Sequence, residues 1–554
     1  METAQKAFSR RAFLGAGLAA GAAVATGRLE VPSWAAARTE PWIEASIPEL
    51  QRLMRHRRLT SRELTLGYVR RIESLNPLLG AVIETNPAAV AIAARRDKER
   101  RAGHIRGPLH GIPVLLKDNI ATDDGMRTTA GSLALVNSRV PADAVIVARL
   151  RAAGAVILGK ANLSEWANFR GFAPFNGWSA RGGFTRDPYL LNFDPCGSSS
   201  GSAVAPAANL CAAAVGTETD GSIVCPAGNN LVVGLKPTLG LLSQNGIIPI
   251  AHSQDTAGPM GRTVTDVALL LGAMLSPIDR ARGLAPWRGG RLLRRGALRG
   301  ARIGVDRRYF TADYGGEPDL IAVAQQGLDA MSDLGATLVK TDTGDSLAYS
   351  DAEFTVLLVE FKRQIAEYLS GLRHTSLRTL ADLIAFNASH CRDEMKYFGQ
   401  ELFELAQATS GDLGDPAYLA ARALCIQLAR DQGIDAALRR DQLDAIVAPT
   451  YSFASTPAAV AGYPNLSLPI GLTPEGKPAG LWMYSGFRRD LTLLRLAYDL
   501  EQELQPRRAP QYLGAVPPEP PDAGICAPAP AQPRGGRGVP RTRRHLGTGK
   551  PLGH

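Results

Sequence analysis

The stretch from Cys196 to Pro226, CGSSSGSAVAPAANLCAAAVGTETDGSIVCP, constrains the fold of this chain more than any other. Two turns of small residues, Gly197-Ser198-Ser199-Ser200-Gly201 and Asp220-Gly221-Ser222, bracket an alanine-rich run too apolar to lie in a loop. A helix of about 11 residues rising about 1.5 Å each, and a strand of about 5 residues returning at about 3.3 Å each, nearly cancel in length. Both turns, and with them Ser198 and Ser222, then fall at one end of the unit. Glycines beside the serines let the backbone approach a ligand closely. Serine hydroxyls presented in this way suit nucleophilic catalysis.

The rest of the chain reads as alternating helices and strands. Thr60-Ser61-Arg62-Glu63 matches a capping box, and Leu64, Tyr68, Ile72 and Leu75 repeat at helical spacing until Asn76-Pro77 is expected to stop the run. A second helix is expected over 88–101. Ile112-Pro113-Val114-Leu115-Leu116 is a short apolar run between turn residues and reads as a buried strand ending at Lys117. The order helix then strand recurs over 145–159, and strand, helix, strand over 301–345, with its helix near 320–334. Residues 352–440 look almost wholly helical, 443–450 returns to a buried strand, and a last helix spans 491–504. Such alternation predicts an α/β fold, one domain over 38–514, with a central mixed sheet covered by helices on both faces. The helical segment is read as an outer layer lining substrate entry.

The two ends of the chain stand apart from this domain. Lys6, Arg10 and Arg11 precede an apolar run from Phe13, and Ser9-Arg10-Arg11-Ala12-Phe13-Leu14 resembles a twin-arginine export signal, followed by Ala35-Ala36-Ala37. Residues 1–37 are therefore expected to be cleaved after Ala37, leaving a periplasmic or secreted protein with no membrane segment. Residues 515–554 are rich in Pro, Gly and Arg, hold few large apolar side chains, and are expected to stay disordered. The net charge of +10 gathers in the signal, in the tail and over 288–308, which argues against a nucleic-acid partner. The six cysteines form no C-x-x-C pair, so metal binding is not expected. Cys196 and Cys225 flank the serine turns and could approach each other in an oxidising compartment, but are read in preference as free, buried thiols.

On these residues the chain resembles the amidase signature family. GSSSGS (197–202) and GTETDGSI (216–223) carry the family's paired turns, and GIPVLLKDNI (111–120), GKANLSEWANFRG (159–171), GLKPTLGLLSQNGIIPI (234–250) and SQDTAGPM (253–260) extend the match. The resemblance covers roughly 47–502. It implies a hydrolase of linear amides in which Ser222 is the nucleophile, Lys117 the base and Ser198 a proton relay between them. It also implies that the backbone of Thr219, Asp220 and Gly221 forms the oxyanion hole, and that neither cofactor nor metal is needed. Burial at a strand end depresses a lysine pKa, as such a base requires. Two other assignments compete on the residues alone. Gly197 to Gly201 satisfies the nucleophile-elbow pattern, but Asn192-Phe193-Asp194-Pro195 before it is no strand; and no histidine, whether His252, His374 or His390, lies in a catalytic setting.

Three positions depart from the family pattern: Glu218 where Asp is usual, Asp220 where Gly is usual, and Val224 where Arg is common. With these variants the sequence is most similar to bacterial peptide amidases, which implies release of ammonia from C-terminal peptide amides. The alternatives are an aryl- or fatty-acyl amidase or esterase of the same family, and an amidotransferase-type glutaminase subunit. The implied partner is a small-molecule or peptide amide, and the enzyme is expected as a monomer or homodimer.

Overall fold

The computed structural model describes residues 40–282 and 293–526. In chain order its strands are β1 (Val82–Thr85), β2 (Pro113–Lys117), β3 (Val156–Ala161), β4 (Trp178–Ser179), β5 (Gly183–Phe184), β6 (Ala213–Glu218), β7 (Val233–Lys236), β8 (Thr256–Gly261), β9 (Arg302–Val305), β10 (Thr337–Lys340), β11 (Ala445–Pro449), β12 (Asn465–Leu472) and β13 (Pro478–Tyr484). β4 and β5 form a small separate hairpin, and the others make one sheet in the order β1-β3-β2-β6-β8-β7-β12-β13-β11-β9-β10. The sheet is mixed. β3, β2 and β6 run parallel, as do β11, β9 and β10, while the strands between them pair antiparallel. Every residue of β2, β6 and β11 is buried, so both faces of the sheet are covered there, as the α/β pattern requires.

The alanine-rich stretch folds back on itself as its composition demands, with a shorter helix than expected. Ser200–Ala207 is helical and wholly buried, and β6 returns alongside it. The small side chains allow a close fit: a Cβ on Gly216 of β6 would come 2.8 Å from Ser199 Oγ. The two serine turns consequently lie together, with the Ser199 amide donating to the Ser222 carbonyl at 3.1 Å.

The helix predicted from the capping box spans Ser61–Leu79, with the Thr60 side chain accepting from the Glu63 amide and Glu63 closing the box. It does not stop at Asn76-Pro77. Pro77 lies in the last turn, where losing one donor costs a single ladder bond, and the helix ends instead at Gly80, whose φ of 57° is the left-handed cap glycine adopts readily. The outer helical layer is present over 350–440, beginning with the helix Ser350–Ser370. The last helix is Asp490–Leu504.

The expected tail needs correction at its start. Residues 515–526 are tied to the outer layer: Cys526 forms a disulfide with Cys391, Glu519 accepts from the Tyr397 hydroxyl at 2.8 Å, and the Ala523 amide donates to the Lys396 carbonyl. These cross-links add to the little apolar packing the segment has, that of Val516 against the core. The remainder of the tail, residues 1–39 with the stretch expected as an export signal, and residues 283–292 lie outside the described residues.

Candidate active site

Lys117 ends β2 with no exposed surface. Its Nζ lies 2.8 Å from Ser198 Oγ, 2.9 Å from Thr217 Oγ1 and 3.2 Å from the Thr217 carbonyl. Burial pulls its pKa down to about 7, against the opposing pull of the Glu218 and Asp255 carboxylates. The neighbours suit a neutral amine. The Thr217 carbonyl only accepts, and Thr217 Oγ1 also accepts from Asn119 Nδ2 at 3.0 Å, so these two can take both hydrogens of a neutral amine, whose lone pair is then free to turn to the Ser198 hydroxyl.

Asp118, adjacent in sequence, does not hold a charge on Lys117. Its carboxylate pairs with Arg181 at 3.1 Å and accepts from the Thr129 hydroxyl. Lys160 and Lys236, buried like Lys117, are bonded elsewhere: Lys160 to the Ile120 carbonyl and Thr128, Lys236 to the Pro237 carbonyl. Of these three buried lysines only Lys117 meets a site serine.

Ser198 is fully buried, its peptide bond to Gly197 is cis, and its carbonyl accepts from the Ser164 amide at 3.1 Å. Ser222 lies on the turn between β6 and the short helix Val224–Asn229, and is partly exposed. The turn is shaped by both of its carboxylates. Glu218 accepts from the amides of Ile223 at 2.7 Å and Val224 at 3.0 Å, so the longer side chain still caps the helix that follows Ser222. Asp220 accepts from Ser455 Oγ at 2.7 Å and Thr456 Oγ1 at 2.8 Å. Gly221 has a φ of 80°, the conformation its place in the turn required. Among the described residues, none accepts a hydrogen bond from the Gly221 or Ser222 amide.

Beside the turn lies a cavity lined by Asn119, Thr217, Thr219, Ile248, Ile250 and Asp255. Asp255 is half-buried, its pKa pushed up to about 7 by desolvation of the carboxyl, and it accepts from Thr219 Oγ1 at 2.6 Å and from the Ile250 and Ala251 amides. The outer layer reaches this cavity through the helix Ser350–Ser370: Gln364 and Glu360 accept from the amides of His252 and Ser253, and Glu353 accepts from Gln254 Nε2. Sequence reasoning reaches Asp255 only inside a motif and gives Thr217 no role. The signal for Thr217 is its place two residues from Thr219 on a strand next to β2, where it must face Lys117 or the opposite side.

Cys196 and Cys225 are not free thiols. Their Cα atoms lie 5.9 Å apart and the sulfurs are bonded, because the fold-back that joins the serine turns also joins their flanks. Cys211 and Cys425 are buried and belong to neither disulfide.

The family model for Amidase matches residues 63–456. A probable amidase of Arabidopsis thaliana is 40% identical over 486 residues, covering 85% of this chain and 92% of the plant protein. The native peptide amidase of Stenotrophomonas maltophilia superimposes with a TM-score of 0.78 at 49% identity, over 85% of this chain and 99% of that one. One component of the glutamyl-tRNA(Gln) amidotransferase of Moorella thermoacetica is 32% identical, over 84% of this chain and 98% of the bacterial protein. In class, then, this is an amide-hydrolysing α/β enzyme. The chain belongs to the amidase signature family, as a single domain built on its mixed sheet.

Proposed function

We propose that this enzyme removes the C-terminal amide of peptides as ammonia, through an acyl-enzyme on Ser222 with Ser198 and Lys117 as its proton path. The observation that carries the reading is the Lys117 amine, shut away from water and 2.8 Å from Ser198 Oγ. As Ser222 Oγ attacks the amide carbonyl, its proton passes to Ser198 Oγ while the Ser198 proton passes to Lys117 Nζ. The carbonyl oxygen takes up negative charge against the backbone amides of the turn Thr219-Asp220-Gly221 and of Ser222. One such donor is worth about 2.7 to 4 kcal/mol in the transition state. The proton then returns along the same path to the departing nitrogen, and water releases the acid from Ser222.

Similarity to the peptide amidase of Stenotrophomonas maltophilia supports the substrate. The two disulfides support the export expected from residues 1–37, since such bonds persist in oxidising compartments. Among the described residues, no helix is long and apolar enough to cross a membrane.

Ammonia release by the isolated mature protein from peptide amides, aryl anilides, fatty amides and glutamine tests the reading. Preference for peptide amides, with internal peptide bonds spared, is expected. Turnover confined to anilides or fatty amides, or to glutamine in the presence of a partner protein, overturns the substrate assignment.

A further inference from the structure

We propose that the Cys196–Cys225 disulfide is a positioning element of the catalytic serines, so that turnover depends on its oxidised state. The inference rests on the roles given above to Ser198 and Ser222. Cys196 stands two residues before Ser198, and Cys225 three residues after Ser222 in the first turn of the helix Val224–Asn229. The bond therefore closes the chain around both serines, at the end of the unit where the Ser199 amide joins the two turns by donating to the Ser222 carbonyl.

Two further observations place strain and accessibility at the same point. Cys196 has a φ of 53°, a left-handed backbone that residues other than glycine seldom adopt, and its amide donates to Asp194 Oδ1 at 2.8 Å. Something must hold that conformation, because it sets the direction in which Gly197 and Ser198 leave. The remaining ties across the gap are hydrogen bonds: Asn229 Nδ2 to the Asp194 carbonyl, Asn230 Nδ2 to the Pro195 carbonyl, and the Ser199 amide to the Ser222 carbonyl. The first two hold residues just before Cys196 and the third joins the turns themselves; none reaches across from Cys196, whose carbonyl is held only locally, by Ser200 Oγ. Both cysteines are partly exposed, within reach of a small thiol. Release of the bond frees Cys196 to relax, and Ser198 moves with it relative to Lys117 and Ser222. A displacement of about 1 Å between reacting groups costs on the order of 100-fold in rate, so a change too small to unfold the protein is large for catalysis.

The second disulfide is the internal control. Cys391–Cys526 pins the segment after the last helix to the outer layer and touches no site residue, so its loss lowers stability and leaves the serines in place.

The full mature chain is compared as wild type, as Cys196→Ser/Cys225→Ser and as Cys391→Ser/Cys526→Ser, reading kcat and KM on a peptide amide and Tm for each. The first variant is expected to lose about tenfold or more in kcat with KM changed by less than about threefold, and the second to lose Tm alone. Treating the Cys391→Ser/Cys526→Ser protein with a dithiol then opens the remaining bond. The reductant gives two electrons and two protons, the bond becomes two thiols, and the reductant leaves as its cyclic disulfide. Activity should fall as two thiols appear and return on reoxidation. The proposal is overturned by unchanged kcat in the folded Cys196→Ser/Cys225→Ser protein. If that variant does not fold, full activity in the dithiol-treated protein with both thiols counted overturns it equally. Failure of the underlying roles shows separately, as activity remaining in Ser222→Ala.

Discussion

The Asp220 carboxylate takes the Ser455 hydroxyl at 2.7 Å, and so ties the turn that presents Ser222 to the helix Ser455–Ala461 after β11. Thr456 completes the grip at 2.8 Å on the other oxygen. A glycine, usual in the family at this position, has no side chain with which to make either bond. The tether therefore holds the turn from outside, while Glu218 holds it from within by the Ile223 and Val224 amides. Hydrogen bonds to a charged group are worth about 1.5 to 3 kcal/mol each. Ser455→Ala/Thr456→Val should lower kcat/KM by roughly 10- to 100-fold in steady-state assays, through kcat, since these two residues lie behind the turn. A variant with wild-type kcat would show that the turn keeps its shape without them.

The proton path sets a steeper demand on the site itself. Ser222→Ala and Lys117→Ala should each abolish turnover, by about 10,000-fold or more, with the circular dichroism spectrum unchanged. Ser198→Ala should weaken turnover severely, because it removes the relay that the proposed path places between Ser222 and Lys117. Full activity in purified Lys117→Ala would remove the base from the mechanism. Chelators should leave the wild-type rate unchanged.

In the proposed mechanism a buried amine is the base, and that role fixes the pH dependence. The form of Lys117 it calls for is neutral, and the pKa is lowered to about 7 by burial. On a peptide amide, kcat/KM should therefore be low below about pH 6, rise through about 7 and level off above it, reporting the free enzyme's base. Asp255 opposes the shift through its negative charge, and itself titrates near 7. Asp255→Asn removes that charge, so the rise should move to lower pH. Movement to higher pH would mean that the rise belongs to another group.

How much of this is legible in the residues alone follows from what each feature depends on. The strand ending at Lys117, the fold-back of 196–226 and the helix after Thr60 rest on local patterns, and those patterns are in the residues themselves. The motif places Ser198 beside Lys117, and the structure puts it 2.8 Å away. Thr217, Ser455 and Thr456 are invisible there because their roles come from strands and helices far apart in sequence meeting at one point. The Cys391–Cys526 disulfide escapes sequence reasoning for a similar reason: the two are 135 residues apart, and only the path of the chain after the last helix brings them together, whereas the approach of Cys196 and Cys225 follows from the fold-back itself. Pro77 misleads because a proline's cost depends on where in the helix it stands, and the end of that helix is fixed by Gly80.

A base kept neutral by burial is also a cost to folding, and this gives a prediction that activity assays do not touch. In the unfolded chain a lysine titrates near 10.4, whereas folded Lys117 titrates at about 7. Between these values the unfolded chain binds more protons, so this group makes stability rise with pH from about 7 to about 10. Below about pH 7 the full penalty applies, on the order of 4 kcal/mol. Lys117→Met keeps the bulk of the side chain and removes the amine, at the expense of the hydrogen bonds to Ser198 and Thr217. The variant should be inactive yet more stable than wild type at about pH 6, by about 2 kcal/mol in urea unfolding once those lost bonds are counted. The gain should shrink steadily as pH is raised toward about 10, because the wild-type penalty disappears as the unfolded chain loses its own proton. A gain that did not vary with pH would locate the effect in packing, and a loss of stability in the acid range would mean that the folded enzyme favours the charged amine and does not depress the Lys117 pKa.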